Sequence, residues 1–228
     1  MKDLIKRIPV IGPVARSVYQ RLLHPAKPFH TSEEYWIERY REGGNSGAGS
    51  YNRLAEFKAE VLNNFVVTHH IRDVIEFGCG DGNQLTLARY PSYLGVDVSP
   101  HAIEGCSRRF AGDASKSFML VHDYAGQTAQ LALSLDVIYH LTEEAVYETY
   151  MRSLFDAAKD YVIIYSSDKD EANPQIPHVR HHQFSRWVRA NATGWRLLRH
   201  IPNRYPYSGD NDTGSLADFY IYGRGSVA

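Results

Sequence analysis

The run Val74-Ile75-Glu76-Phe77-Gly78-Cys79-Gly80-Asp81-Gly82 constrains the fold of this chain more than any other stretch. A short apolar segment carries an acid and runs into glycines at every second position, the spacing of a strand that turns sharply into a helix. Glycine reaches φ > 0 without steric cost and brings no Cβ into the path of a ligand. The next apolar segment, Tyr93-Leu94-Gly95-Val96-Asp97-Val98, also carries an acid near its end. Together they predict two neighbouring parallel strands with Glu76 and Asp97 at their carboxyl ends, where open α/β sheets bind ligands.

The rest of the chain alternates in the same way. A helix is predicted over 32–40 with Thr31 or Ser32 as N-cap. A glycine-rich loop follows at 43–50. A second helix covers 54–65, with Leu54, Phe57, Val61, Leu62 and Phe65 on one face. Strands are expected at 73–77, 93–98, 118–121, 135–139 and 161–165, with a final pair at 195–201 and 219–222. Helices are expected to start at 83–88, at Ser99-Pro100 with proline in the first turn, and at 143–158. This pattern predicts an α/β fold: a mostly parallel seven-stranded, Rossmann-like sheet with helices on both faces and an antiparallel last strand. The expected divisions are 1–30, 31–69 and 70–228.

Bulk properties exclude some classes. The chain has 228 residues and a formal net charge of -1, which gives no global pull toward nucleic acid. Cys79 and Cys106 have no metal-ligand spacing, consistent with a reduced, cytoplasmic chain. Residues 1–28 differ in character. Lys2, Lys6, Arg7, Arg16 and Arg21 lie among aliphatic residues, broken by Pro9, Gly12 and Pro13. The segment reads as a poor signal peptide. It is either a basic amphipathic element resting peripherally on an inner membrane surface or a helix packed on its own domain.

The dinucleotide fingerprint G-x-G-x-x-G is missed here, because Asn83 stands where the third glycine belongs. The run from Glu76 to Gly82 instead resembles the first motif of class I S-adenosylmethionine methyltransferases, a resemblance that extends over residues 70–225. It implies S-adenosylmethionine as cofactor, held by Glu76, Gly78, Cys79, Gly80, Gln84, Asp97, Val98, Asp123 and Tyr124. Glu76 would meet the methionine amino group, and Asp97 both ribose hydroxyls, since a carboxylate only accepts. Asp123 would meet the adenine amino group, with His122 as the alternative, and Tyr124 would stack on the ring.

A second likeness is more specific. Tyr35-Trp36, the run Gly43-Gly44-x-Ser46-Gly47-x-Gly49-Ser50-Tyr51, Leu54-Ala55-x-Phe57-Lys58 and the segment His178-Val179-Arg180-His181-His182-Gln183-Phe184-x-x-Trp187 resemble bacterial methyltransferases of polysaccharide biosynthesis. These include sugar O-methyltransferases of the mycobacterial methylmannose polysaccharide type. The likeness implies a carbohydrate acceptor. The glycine loop is then a plausible lid over the cofactor.

An alcohol is a poor nucleophile at neutral pH, so a hydroxyl acceptor calls for a base, a metal or both. His140, after the fourth strand, is the first choice for base, with Tyr139 beside it; an unperturbed histidine has a pKa of about 6.5. Asp136 and Asp168, at the ends of adjacent strands, are candidate Mg²⁺ ligands. Acceptor contacts are expected from Tyr51, Arg53, His178, Arg180, His181, Arg204 and Tyr205. Zinc at 178–182 is disfavoured by the adjacency of His181 and His182 and the lack of a supporting cysteine. Three functional classes stay open: an O-methyltransferase on a sugar hydroxyl, an N-methyltransferase, and a non-catalytic cofactor-binding or membrane-docking protein. A homodimer is a further expectation.

Overall fold

Apolar residues occupy both faces of the central strands, so the sheet needs cover on both sides. In β5 (Ala158–Ser166) Val162 and Ile164 face one core while Ile163 and Tyr165 face the other, the two-residue period of a strand. The computed structural model describes residues 28–172 and 174–225. The basic segment expected at 1–28 lies, up to residue 27, outside the described residues.

The sheet has seven strands. β3 (Lys116–Leu120), β2 (Tyr93–Asp97), β1 (Val74–Phe77), β4 (Ala129–Leu135) and β5 lie side by side and parallel. β9 (Asp218–Arg224) runs antiparallel to β5 and separates it from β8 (Trp195–Ile201) at the edge. The short strands β6 (Glu171–Ala172) and β7 (Arg180–His181) form a separate hairpin. The Rossmann-like, mostly parallel sheet with one antiparallel strand is as the pattern predicts.

Helix α1 (Ser32–Arg41) is capped by the Thr31 hydroxyl, which accepts from the Glu34 N–H. Helix α2 (Asn52–Thr68) packs Phe57, Leu62, Phe65 and Val66 onto one face of the sheet, and α3 (Pro100–Arg109) flanks the same face. Helix α4 (Glu144–Asp156) and α5 (Phe184–Asn191) cover the other face. Met151 and Leu154 of α4 have no solvent exposure, and each such side chain contributes on the order of 2 kcal/mol.

Two expected elements differ. The segment 83–88 is one 3₁₀ turn, Gln84–Leu87, not the start of a longer helix. Ala88 is already extended, and Pro91 follows. The fourth strand lies earlier, at 129–135 rather than 135–139. Asp136 takes φ of 61°, which ends the strand, and Ile138–His140 coils into a 3₁₀ turn. The apolar residues after Asp136 therefore pack in a loop. Asp136 and His140 still sit at the carboxyl end of β4.

Candidate active site

The carboxyl ends of β1, β2 and β4 open onto a cavity of about 470 Å³. Its floor is the glycine turn. Gly78, Gly80 and Gly82 have φ of 84°, 57° and 70°, so the turn exists because these positions are glycine. The missing Cβ atoms also make room for protein. A Cβ on Gly78 would lie 2.4 Å from Val137, and one on Gly80 would lie 2.3 Å from the Ser46 hydroxyl.

Two buried acids line this floor. Asp97 accepts from the N–H groups of Gly80 and Ser99, both at 2.9 Å. Burial nevertheless holds its carboxyl above the usual range. Glu76 accepts from the Tyr93 hydroxyl at 2.7 Å. Burial pushes its pKa up to about 7, against the pull of that hydrogen bond and of Lys58. Cys79 and Val98 also line the cavity, and both cysteines are buried and free. Gln84 lines it with a buried side chain whose Nε2 donates to the Ala55 carbonyl, while its Oε1 has no partner.

His140 lines the opposite part of the cavity. Its Nδ1 lies 3.1 Å from the His178 carbonyl, which only accepts, so Nδ1 carries the proton and Nε2 the lone pair. Burial drives its pKa down to about 4, so the ring is neutral near pH 7. Trp36 packs against it edge to face at 4.8 Å between ring centroids. Tyr139 is half-buried and donates to Asp136 at 2.8 Å.

The roof of the cavity comes from α1 and the loop behind it. Ser32, Glu33, Trp36, Tyr40, Ser46 and Ser50 line it. The roof is fastened at both ends. The Ser32 N–H and hydroxyl donate to Glu143 at 2.8 and 2.6 Å. The Ser46 N–H and the Tyr51 hydroxyl donate to Asp81 at 2.9 and 2.8 Å, and the Ser46 hydroxyl accepts from the Asp81 N–H. Tyr51 thus fastens the loop and is not among the cavity residues; burial and this carboxylate raise its phenol to about 12.

Several expected contacts lie elsewhere. Asp123 is exposed beside His122, and Tyr124 donates to the Gln127 carbonyl; neither lines the cavity, whose nearest wall residue on that strand end is Val121. Arg204 forms a two-pronged ion pair with Glu60, and Arg53 lies over the Tyr205 ring. These three form an outer patch: Glu60 holds Arg204, and the Tyr205 ring and the Thr213 carbonyl hold Arg53. His178 stacks on Tyr35, Arg180 pairs with Glu144, and His181 meets the Ser167 hydroxyl. His178, Arg180 and His181, expected as acceptor contacts, therefore do not line the cavity.

Asp136 and Asp168 are taken up by different partners, and only Asp136 lines the cavity. The oxygens of Asp136 take Lys58 at 2.6 Å and Tyr139, while Asp168 accepts the Ser185 N–H at the start of α5. Among the described residues no group of three or more His, Cys, Asp or Glu side chains is arranged to hold a metal. This donor set does not fit Mg²⁺. Sequence reasoning overlooked Lys58, Trp36, Tyr40, Thr149 and Tyr150, all of which line the cavity. The signal for Lys58 was present: it stands on the apolar face of its helix, between Leu54 and Leu62.

No protein-family model and no curated protein matches the sequence. Solved structures do. The N-methyltransferase NodS from Bradyrhizobium japonicum WM9, in complex with S-adenosyl-l-homocysteine, aligns with a TM-score of 0.66 at 13% identity, over 86% of this chain and 99% of its own. Magnesium protoporphyrin IX methyltransferase from Synechocystis PCC 6803, with bound SAM, aligns at 0.60 and 15% identity, over 87% and 100%. An O-methyltransferase family protein from Burkholderia thailandensis aligns at 0.60 and 14% identity, over 96% and 73%. Among the described residues no helix is long and apolar enough to cross a membrane. The chain has the fold of these methyltransferases.

Proposed function

We infer that the protein is an S-adenosylmethionine-dependent O-methyltransferase acting on a hydroxyl of a sugar or oligosaccharide. The residues present fit the cofactor. The cavity has the volume of a small-ligand site. Glu76 and Asp97 supply acceptors for the donors of the amino group and ribose. Val98, Val121, Ala145 and Val146 offer an apolar slot for an adenine ring. Bound S-adenosylmethionine supplies an activated methyl group.

The observation that carries an oxygen acceptor is the state of His140. It is neutral, held by its Nδ1–H, carries its lone pair on Nε2 and lines the cavity. In the proposed role Nε2 takes the acceptor hydroxyl proton while Trp36 and the His178 carbonyl hold the ring in place. Asp136 and Tyr139 hold the loop that carries His140. No step needs a metal.

The test is transfer of labelled methyl from S-adenosylmethionine to a panel of mono- and oligosaccharides, with Mg²⁺ or with EDTA. Transfer that survives EDTA is expected. Transfer abolished by EDTA would restore Asp136 and Asp168 as ligands. Transfer to amines and to no sugar would overturn the oxygen reading.

A further inference from the structure

The described residues also enclose a second cavity, of about 330 Å³, which shares no residue with the first. A volume of this size is within the range of small-ligand sites. It lies at the other end of the sheet. Trp195, at the start of β8, pairs with Arg224 at the end of β9, and the neighbouring Gly223 pairs with Tyr161 in the first half of β5. The first cavity sits at the carboxyl ends of the parallel strands, and this one lies toward the amino end of β5.

The base of this cavity is aromatic. Trp187 of α5 and Trp195 both pack against Phe155 of α4, with ring centroids 6.1 and 5.4 Å away. A guanidinium lies over each indole: Arg152 over Trp187 at 5.7 Å, and Arg224 over Trp195 at 4.9 Å. Each is tied a second time. Arg152 donates to Glu148, which also accepts the indole N–H of Trp187. Arg224 donates to the Ala158 carbonyl at 3.0 Å and has no acid partner among the described residues. A guanidinium carries five donors, so most of those on Arg224 stay available to a ligand. Both arginines are exposed, Arg152 over 58% of its side chain. Stacking orders the two forks before anything binds, which lowers the entropy cost of binding.

Two acceptors line the same cavity. Asp156 and Asn191, the last residues of α4 and α5, are both exposed there. Asn191 donates its amide to the Trp187 carbonyl, which leaves its Oδ1 to accept. A bare anion would use the arginines and be repelled by Asp156. A neutral polyol would use the acceptors and leave the arginines idle. A sugar acid uses both sets: its anionic group takes the guanidiniums, and its hydroxyls donate to Asp156 and Asn191. We propose that this cavity binds an acidic saccharide of the uronic acid class. It holds the sugar away from His140, so it retains a saccharide and does not react with it.

The test is titration calorimetry on the full-length chain, without S-adenosylmethionine, using tetragalacturonate, maltotetraose and inorganic phosphate as probes. Tetragalacturonate should bind, and the other two should bind about tenfold more weakly or less. Arg224→Gln should lower tetragalacturonate affinity by about 10- to 100-fold, the size of one charged hydrogen bond. That variant also gives up the stack on Trp195 and the bond to Ala158, so Arg152→Gln, at the more exposed fork, is measured in parallel and should show a loss of about tenfold. Thermal melts show which variants fold. Affinity unchanged in either folded arginine variant would overturn the proposal. Maltotetraose bound as tightly as tetragalacturonate would remove the acid from recognition and overturn it too. Phosphate bound as tightly would make the cavity a plain anion site and overturn the saccharide assignment, as would no binding of any probe. Methyl transfer is not read, so failure here leaves the cofactor reading standing.

Discussion

The floor and the roof of the cavity are built by different means. The floor is local. Gly78, Gly80 and Gly82 follow β1 directly, and Asp97 caps the turn with a bond to Gly80 only 17 residues away. The roof is long-range. Ser32 reaches Glu143 across 111 residues, and Ser46 reaches Asp81 across 35. A local floor is set by backbone conformation and is rigid. A roof held by side-chain hydrogen bonds at its ends and by ring contacts between them can loosen when an end is lost, and such low-stability elements are where gating occurs. On this contrast, changes at floor level should alter binding and chemistry, and changes in the roof should alter rates of entry and exit.

The largest effect should come from the loop at the end of β4. His140→Ala is expected to lower turnover by about 10²–10⁴, the usual range for a lost acid–base group, with cofactor affinity unchanged. Because its pKa is driven down to about 4, the wild-type rate at saturating cofactor should stay level well below pH 6.5 instead of falling there. Near-normal turnover in the variant would remove His140 from the chemistry. A rate that fell with a midpoint at about 6.5 would mean that the ring is solvated in the working enzyme.

A smaller effect should appear in the pH dependence of cofactor binding. Burial raises Glu76 from 4.5 to about 7, so the empty site holds its proton at pH 6. The cofactor's ammonium favours the ionised form. Affinity should therefore rise about tenfold between pH 6 and pH 8, with proton release on binding, and Glu76→Gln should flatten the curve. The sign for stability is opposite. In the unfolded chain Glu76 ionises near 4.5, so between about 4.5 and 7 the folded empty protein binds more protons than the unfolded one. Its contribution to stability then declines as pH rises through that window and levels off above it. Calorimetry across the range in two buffers of different ionisation enthalpy reads both. A flat affinity profile in wild type would mean that Glu76 does not meet the ammonium.

The same division explains what was legible in the sequence. The alternating pattern carried the sheet, its strand order near β1 and β2, and the cavity residues Glu76, Gly78, Gly80 and Asp97, because each depends on neighbours within one crossover. Helix α1 was visible, but not its role as roof, because nothing near Trp36 encodes its contact with His140. The acceptor contacts expected at Arg53, Arg180 and Arg204 were drawn from residue type alone. Tyr205, Glu144 and Glu60 engage them first, and those contacts depend on tertiary placement. Asp136 misled in another way. The apolar residues following it continue a strand pattern, while its backbone turns left-handed under Lys58 and Gly49.

The subtlest prediction concerns the latch itself. Burial pushes the Glu143 carboxyl up, but the bonds from Ser32 and Thr142 outweigh this and hold it below the usual range, so it is ionised at neutral pH. Glu143→Gln keeps the shape and replaces one acceptor oxygen with an amide that faces the donors of Ser32. One hydrogen bond is lost and the other loses its charge, a change of about 1 kcal/mol at this partly exposed site. If α1 is a gate, stopped-flow release of the cofactor should quicken about fivefold while the His140-dependent chemical step in a single turnover stays the same. If α1 is instead a fixed wall, the variant should melt earlier and release the cofactor at the wild-type rate. The first outcome would make the roof a moving part, and the second would make floor and roof one rigid body despite their different construction.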